Sequence, residues 1–453
     1  MTEPLDLYEL LPNVHRLRDA ERGYPLRALL ALVSEQANVI RADIDRLEND
    51  LFIETCAEWV VPYIGDLVAN QPLYEIVQPR RADVANTIAY RRRKGTHAML
   101  ERLASDVTGW STCVVEFFER LGWTQNQNHL RPSSQWFDLR RQEACTRVGG
   151  AFESASRSVD VRPLGQDEGW FGVPKLGFFL FRSLALPVVA VPARPSAVPW
   201  GFRFDPTGAR GPLFQRARTP TGRVTELDVA APIRRERFFV DLEAAREATP
   251  PAAASELYGD FAAGPTAEAH ASLHVMVGGV AVPASRVVCA RLFPWPASPV
   301  SGDAVAVDVE HGRLALGAAW PSPAPPVDVS FHRGVPAPLG GGSYARTPVT
   351  DPNATALRVR EGATPTGPSG PYPSLDAALA VWRATTPPVN TVIRIDDSRT
   401  YPLTGPLAVA PACSLVIEAA PGERPLLVTG SGGVSAGSPA LAPLSALRFD
   451  GVA

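Results

Sequence analysis

The sequence predicts a multidomain α+β protein in three parts: an N-terminal helical bundle, β-rich middle domains, and the start of a parallel β-helix-like C-terminal module. Three observations predict it. Proline is sparse over residues 1–130 and dense from about 187 to 375, a shift from helix formers to turn-rich chain. Between residues 26 and 51 the apolar positions step strictly by four and three, which is a helical seam. Near the C-terminal end, Ile393 and Leu415, Ile395 and Ile417, and Leu427 and Phe449 lie 22 residues apart, a spacing suited to successive parallel coils. The expected domains are therefore 1–150 (helical), 151–337 (β-rich), a Pro/Gly-rich linker over 338–373, and a β-helix-like module over 374–453, whose natural chain is expected to continue past Ala453.

At 453 residues the chain is too long for one ordinary core. Its 45% apolar and 20% charged content is that of a globular protein, and a formal net charge of −3 gives the whole chain no polyanion-binding character. Cys56, Cys113, Cys145, Cys289 and Cys413 are scattered without a CxxC pair, which suits buried free thiols in a reducing compartment. The N-terminus "MTEPLDLYELLP" has no basic region followed by an apolar one, so no signal peptide is expected. The most apolar window, "LGFFLFRSLALPVVAVPA", is broken by Arg182, Pro187 and Pro192, so no membrane span is expected.

The first long helix should run from Pro25, suited to a first-turn position, to Phe52. Leu26, Leu30, Val33, Ala37, Ile40, Ile44, Leu47 and Leu51 form its seam, narrower than the stripe of a surface helix. Its regularity favours bundling with helices of other chains over an antiparallel hairpin within this one. Trp59, Val60, Tyr63, Ile64 and Leu67 predict another helix, with Gly65 loosening its end. A further helix over 82–107 carries Val84, Ile88, Met99, Leu100, Leu103 and Val107, and Gly95 should break it, being about 1 kcal/mol worse than Ala in a helix. This helix holds "IAYRRRKGT". Arg80, Arg81, Arg91, Arg92, Arg93, Lys94 and Arg102 against Asp83 and Glu101 give a local charge of +5.

Alternation takes over beyond 150. "DAVAVDVEHGRLALG" sets Val305, Val307 and Val309 on one face, turns at His311-Gly312 and returns through Leu314 and Leu316, a β-hairpin. "SLHVMVGGVAV" and "PVDVSFHRG" read the same way.

Catalytic chemistry finds no anchor, so no enzyme, cofactor or metal site is expected. There is no GxxxxGK[ST], GxSxG or HExxH. His270 and His274 would lie about 13 Å apart on a strand and could not share an ion. Asp396 and Asp397 are adjacent and read as a surface turn, and Glu54 and Glu58 as a solvated or partner-facing edge. Nucleic-acid binding is disfavoured too. Tyr90 is the only aromatic near the basic run, where base stacking would need several, and consecutive cations fan around a helix. Arg91, Arg92, Arg93 and Lys94 are instead expected to pair with acidic surfaces, on partners or on the first helix (Glu35, Asp43, Asp45, Glu48, Asp50).

Taken together, "LLPNVHRLRDAERGYPLRALLAL", "FIETCAEWVVPYIGDLV", "VANTIAYRRRKGT", "LASDVTGW", "TQNQNHLR", "SRSVDVR" and "FRFDPTGARGPLFQRA" resemble a baseplate wedge protein of phage-tail-like (extracellular) contractile injection systems. The resemblance covers roughly residues 5–215. It implies a noncatalytic subunit repeated in a sixfold baseplate that triggers sheath contraction, assembled in the bacterial cytoplasm and with release on lysis left open. Its partners would be a baseplate-J-like wedge protein, sheath-adaptor components and hub or spike components. The interface residues would be Leu26, Leu30, Val33, Ile40, Ile44, Leu47 and Leu51 with Arg91, Arg92, Arg93 and Lys94. The C-terminal module lies outside the resemblance and keeps an alternative open: a tail-associated carbohydrate-binding or polysaccharide-cleaving module.

Overall fold

The computed structural model describes residues 5–71, 81–130, 139–140, 142–166, 168–220, 222–247, 255–259, 271–344, 354–365, 367, 369–385, 390–403, 414–429 and 446–450. Arg80, His270, Cys413 and Ala453 lie outside the described residues. Helices and several sheets alternate along the chain, as in a multidomain α+β protein. The chain divides into two compact units, Met1–Gly109 and Trp110–Ala453. The expected boundary at 150 is therefore too late, because strands on either side of it pair with each other.

The first unit holds α1 (Asn13–Glu21), α2 (Pro25–Asp50), α3 (Val61–Leu67), α4 (Arg81–Arg92) and α5 (His97–Thr108). Pro25 opens α2 as expected. Tyr24, in the left-handed region at φ 62°, cannot cap it with its own side chain. Asp19 of α1 does so instead: its carboxylate accepts the Leu26 amide at 2.8 Å and the Arg27 amide at 3.0 Å, two donors the first helical turn cannot satisfy internally. Along α2, Ser34 Oγ accepts the Leu7 amide at 3.0 Å, and Asn38 exchanges hydrogen bonds of 2.8 and 3.0 Å with the Leu5 backbone. Cys56, Val60, Val61 and Val84 bury a small core. Gly65 lies within α3 with Val84 Cγ2 3.4 Å from where a Cβ would stand. It is a point of close helix approach, not a frayed end. The expected break at Gly95 is present at φ 85°, separating α4 from α5. Tyr90 hydroxyl and Asn86 Nδ2 both donate to the Asp106 carboxylate, joining the two helices.

The second unit begins with β1 (Ser111–Glu116), followed by the short α6 (Gln142–Thr146). β2 (Leu176–Phe181) pairs antiparallel with β1, Ser111 opposite Phe181. The middle of the unit comprises β3 (Leu184–Pro192), β4 (Arg194–Pro195), β5 (Gly201–Arg203), α7 (Arg235–Glu247), β6 (Leu273–Val277), β7 (Val280–Ala281), β8 (Val287–Cys289), β9 (Val305–Asp308), β10 (Arg313–Leu316) and β11 (Val327–Val335). A five-stranded sheet of order β4-β5-β10-β9-β8 and a four-stranded sheet of order β3-β11-β6-β7 share one core with α7. Two of the three expected hairpins are present: β9 and β10 pair with Val307 opposite Leu314, and β6 turns into β7 at Gly278-Gly279, whereas "PVDVSFHRG" is the single strand β11, paired with β3 and β6. Val305, Val307, Val309 and Leu314 are all fully buried.

The remainder comprises β12 (Thr355–Val359), α8 (Leu375–Ala384), β13 (Thr391–Ile395), β14 (Thr400–Leu403), β15 (Ser414–Ala419), β16 (Leu426–Thr429) and β17 (Ala446–Asp450). β12, β13, β15 and β17 form a parallel four-stranded sheet in that order, and β14 pairs parallel with β16. Leu357, Ile393 and Ile417 sit on neighbouring rungs, and α8 adds Leu375, Ala378, Leu379 and Trp382 to the same core. The 22-residue spacing is corrected by the register. Ile393 faces Ile417, 24 positions on, and Ile417 faces Phe449, 32 positions on. Leu427 pairs with Tyr401 in the other sheet, not with Phe449. The linker reading of 338–373 also fails over its second part, where β12 is a sheet strand and Tyr372 is buried. Arg399 pairs with Asp328 of β11 at 2.7 Å, tying the parallel ladder to the middle sheets.

Candidate interface surfaces

The seam of α2 faces outward. Val33 is 47% exposed, Ile40 62%, Ile44 61%, Leu47 65% and Leu51 71%, while Leu26 and Leu30 are half-buried. Among the described residues α2 packs against α1 and the Leu5–Tyr8 segment, which hold its start and its Ser34/Asn38 side. The internal hairpin, the other sequence reading of this seam, does not form among the described residues. Leu29, Leu32 and Val39 widen the exposed surface beyond the strict seam. Scattered exposed aliphatics are ordinary, but a continuous run of them marks an association surface.

Two further apolar surfaces escaped the sequence reading. Trp59, Tyr63 and Leu67, four residues apart, form an exposed stripe along α3 and the turn before it, with the Trp59 and Tyr63 rings edge-on at 6.1 Å. Their spacing is what a buried face would also show, so periodicity gave no signal of which side was wet. On β2, Phe179 and Phe181 pack inward while Leu176, Phe178 and Leu180 point out. An alternation of apolar with apolar carries no inside–outside contrast.

The basic run ends α4 and makes the turn to α5. Arg91, Arg92, Arg93 and Lys94 are all exposed. Arg91 donates to the Ala69 carbonyl, and among the described residues none of the four forms an ion pair. The expected pairing with carboxylates of the first helix is thus absent there. Their placement has a local reason, since cations at a helix C-terminus complement its dipole. Asp106 and burial together push the Tyr90 hydroxyl pKa well above its ordinary value, burial being the larger cause.

Groups with chemical potential elsewhere are engaged structurally. Asp308, Glu310 and His311 bring three ligand-type atoms together. The Asp308 carboxylate already accepts the Leu292 amide at 2.8 Å, the His311 amide at 3.2 Å and His311 Nδ1 at 3.1 Å, and Glu310 pairs with Arg235. A cleft of about 600 Å³ contains Arg120, Arg147 and Arg223. Each is paired, to Glu153 at 3.8 Å, Glu226 at 2.8 Å and Glu119 at 2.7 Å. Asp396 pairs with Arg358 at 2.6 Å, while Asp397 accepts the Tyr401 hydroxyl and the Glu361 amide, both at 2.8 Å. Both are half-buried, and these contacts tie the segment after β13 to β12 and the turn that follows it. Glu54 and Glu58 are exposed. Cys56 and Cys113 are buried free thiols, whereas Cys145 and Cys289 are half-buried. Burial pushes the Cys289 thiol up to about 12. No described helix is long and apolar enough to cross a membrane.

Comparison with protein-family models, with curated proteins and with solved structures gives no match to this chain.

Proposed function

We propose that this chain is a noncatalytic structural subunit, a baseplate wedge component of a contractile, phage-tail-like injection particle. In this reading α2 completes a helical bundle with helices of a baseplate-J-like companion, within a sixfold baseplate that also contacts sheath-adaptor and hub or spike components. The parallel ladder of β12 to β17 is then the beginning of a β-helix-like peripheral arm. One observation carries the proposal. A 26-residue helix keeps a regular four-three seam with its C-terminal half open to solvent, where bundling helices would meet it. The Asp396 and Asp397 carboxylates, engaged by Arg358, the Glu361 amide and the Tyr401 hydroxyl, give no support to a polysaccharide-cleaving role.

Co-expression with a baseplate-J-like protein of the same genome should yield a soluble complex that copurifies with the full chain. Ile44→Asp should abolish that complex. Because Ile44 is 61% exposed in the single chain, the variant should keep the wild-type melting temperature at concentrations where the chain is monomeric, exposed substitutions costing within about 0.5 kcal/mol. A complex that survives Ile44→Asp unchanged removes the basis of the proposal.

A further inference from the structure

We infer that, in the free protein, a second copy of this chain covers the α2 seam, helix against helix in the antiparallel sense. The inference stands on the residues of α2 and does not rest on the baseplate reading. In heptad terms the a positions are Leu30, Ala37, Ile44 and Leu51, and the d positions are Leu26, Val33, Ile40 and Leu47. The flanking e positions are then Arg27, Ser34, Arg41 and Glu48, and the g positions Leu29, Gln36, Asp43 and Asp50.

These flanks discriminate between orientations, because charges at e and g set partner choice and direction. In an antiparallel pair each a layer meets a d layer, e faces e and g faces g. Full overlap of the seam places Leu26 against Leu51 of the second copy, Leu30 against Leu47, Val33 against Ile44, and Ala37 against Ile40. Arg27 then faces Glu48 at both ends of the pair. The other flanking pairs are Ser34 with Arg41, Gln36 with Asp43 and Leu29 with Asp50, none of them a like-charge contact. A parallel pair in register instead sets g against the following e, which brings Asp43 to Glu48 twice. It also stacks Ala37 on Ala37, leaving a hollow layer where the antiparallel arrangement fills each small residue with an isoleucine.

The fold leaves this arrangement open. Arg27 and Glu48 are both exposed, the Arg27 guanidinium resting over the Tyr8 and Tyr24 rings at 5.8 and 5.9 Å. Among the described residues neither forms an ion pair. The Leu5–Leu7 segment occupies Ser34 and Asn38, the stretch of the e side between the two Arg27–Glu48 contacts, where the facing pair, Ser34 with Arg41, is not a charge pair. Val33, Ile40, Ile44, Leu47 and Leu51 remain exposed beside it. A companion's helices would have to displace the second copy from the same surface.

The test is sedimentation of the full chain across a concentration series from sub-micromolar to tens of micromolar. The expected result is a reversible monomer–dimer equilibrium. Glu48→Arg and Arg27→Glu should each weaken dimerisation about tenfold, by turning two exposed attractions into repulsions. The double variant Arg27→Glu/Glu48→Arg should restore the wild-type constant. In a parallel pair Glu48→Arg would meet Asp43 and strengthen association. A monomer throughout the series, a stronger Glu48→Arg dimer, or a particle of three or more copies each overturns the inference.

Discussion

Replacing Asp19 by alanine should loosen the start of α2 without touching its seam. The Asp19 side chain is 5% exposed and accepts two amides, from Leu26 at 2.8 Å and Arg27 at 3.0 Å. Tyr24, the residue at the cap position, offers no side-chain bond of its own, so nothing replaces the lost acceptor. Losing a cap costs about 1–2 kcal/mol, and losing a carboxylate from the positive end of the helix adds up to about 1 kcal/mol more. A total of about 2 kcal/mol corresponds to a roughly thirtyfold increase in local opening. Hydrogen exchange of the full chain reads this directly, with the Leu26 and Arg27 amides as reporters. Asp19→Asn keeps one acceptor oxygen and loses the charge, so it should fall between the wild type and the alanine variant. Amides around Val305 and Leu314, in the other unit, should exchange as before. Unchanged protection at Leu26 and Arg27 in Asp19→Ala would refute the capping argument.

Two further outcomes follow from groups already described. Changing Arg91, Arg92, Arg93 and Lys94 together to glutamine should weaken complex formation with the companion and leave duplex-DNA binding negligible. Tight wild-type binding of DNA with a steep inverse salt dependence, measured by fluorescence anisotropy, would make the run a phosphate grip instead. His332 is 4% exposed with its Nδ1 3.0 Å from the Ser272 carbonyl, and burial, the leading cause, pulls its pKa down to about 4. An unfolded histidine titrates near 6.5, so the unfolded state binds the extra proton first as pH falls. Stability is therefore fully present above about pH 6.5, declines towards pH 4 by about 3 kcal/mol, and loses nothing more from this group below that. Urea titrations at several pH values should show that decline reduced in His332→Asn, which keeps a donor for Ser272 and cannot titrate.

The parts of the fold that were legible in the sequence are those fixed by local pattern. Pro25, the four-three steps and Gly95 placed two helix starts or stops because each acts through its own backbone geometry. The hairpin at Val305–Leu316 was legible because alternation on both arms and a Gly-containing turn agree. What could not be read depends on contacts between separate elements. Asp19 caps a helix to which it does not belong, and no motif announces that. The register of the parallel ladder follows from loops of different lengths between rungs, so equal spacing of similar residues misplaced Leu427 by a whole sheet. Periodicity finds an apolar face of a helix but not whether this chain covers it. That is why the spacing of Trp59, Tyr63 and Leu67 predicted a helix but not that they lie outside.

The seam itself shows how far one pattern can carry an argument. The same chain buries Val305, Val307 and Leu314 completely, so its apolar residues do collapse where the topology gives them a partner. On α2 the supporting contacts come from Asp19, Ser34 and Asn38, polar residues that grip the helix at its start and along one side. Caps of this kind contribute only about 1–2 kcal/mol, whereas a helix in water draws most of its stability from packing of its apolar face. Each large aliphatic side chain left out of water's reach would add roughly 1.5–3 kcal/mol. The order of α2 and the occupation of its seam are therefore coupled quantities. A partner that covers Ile40, Ile44 and Leu47 should protect the Ala37–Leu47 amides from exchange as strongly as it binds, and a variant that cannot be covered should lose that protection while its sheets remain intact.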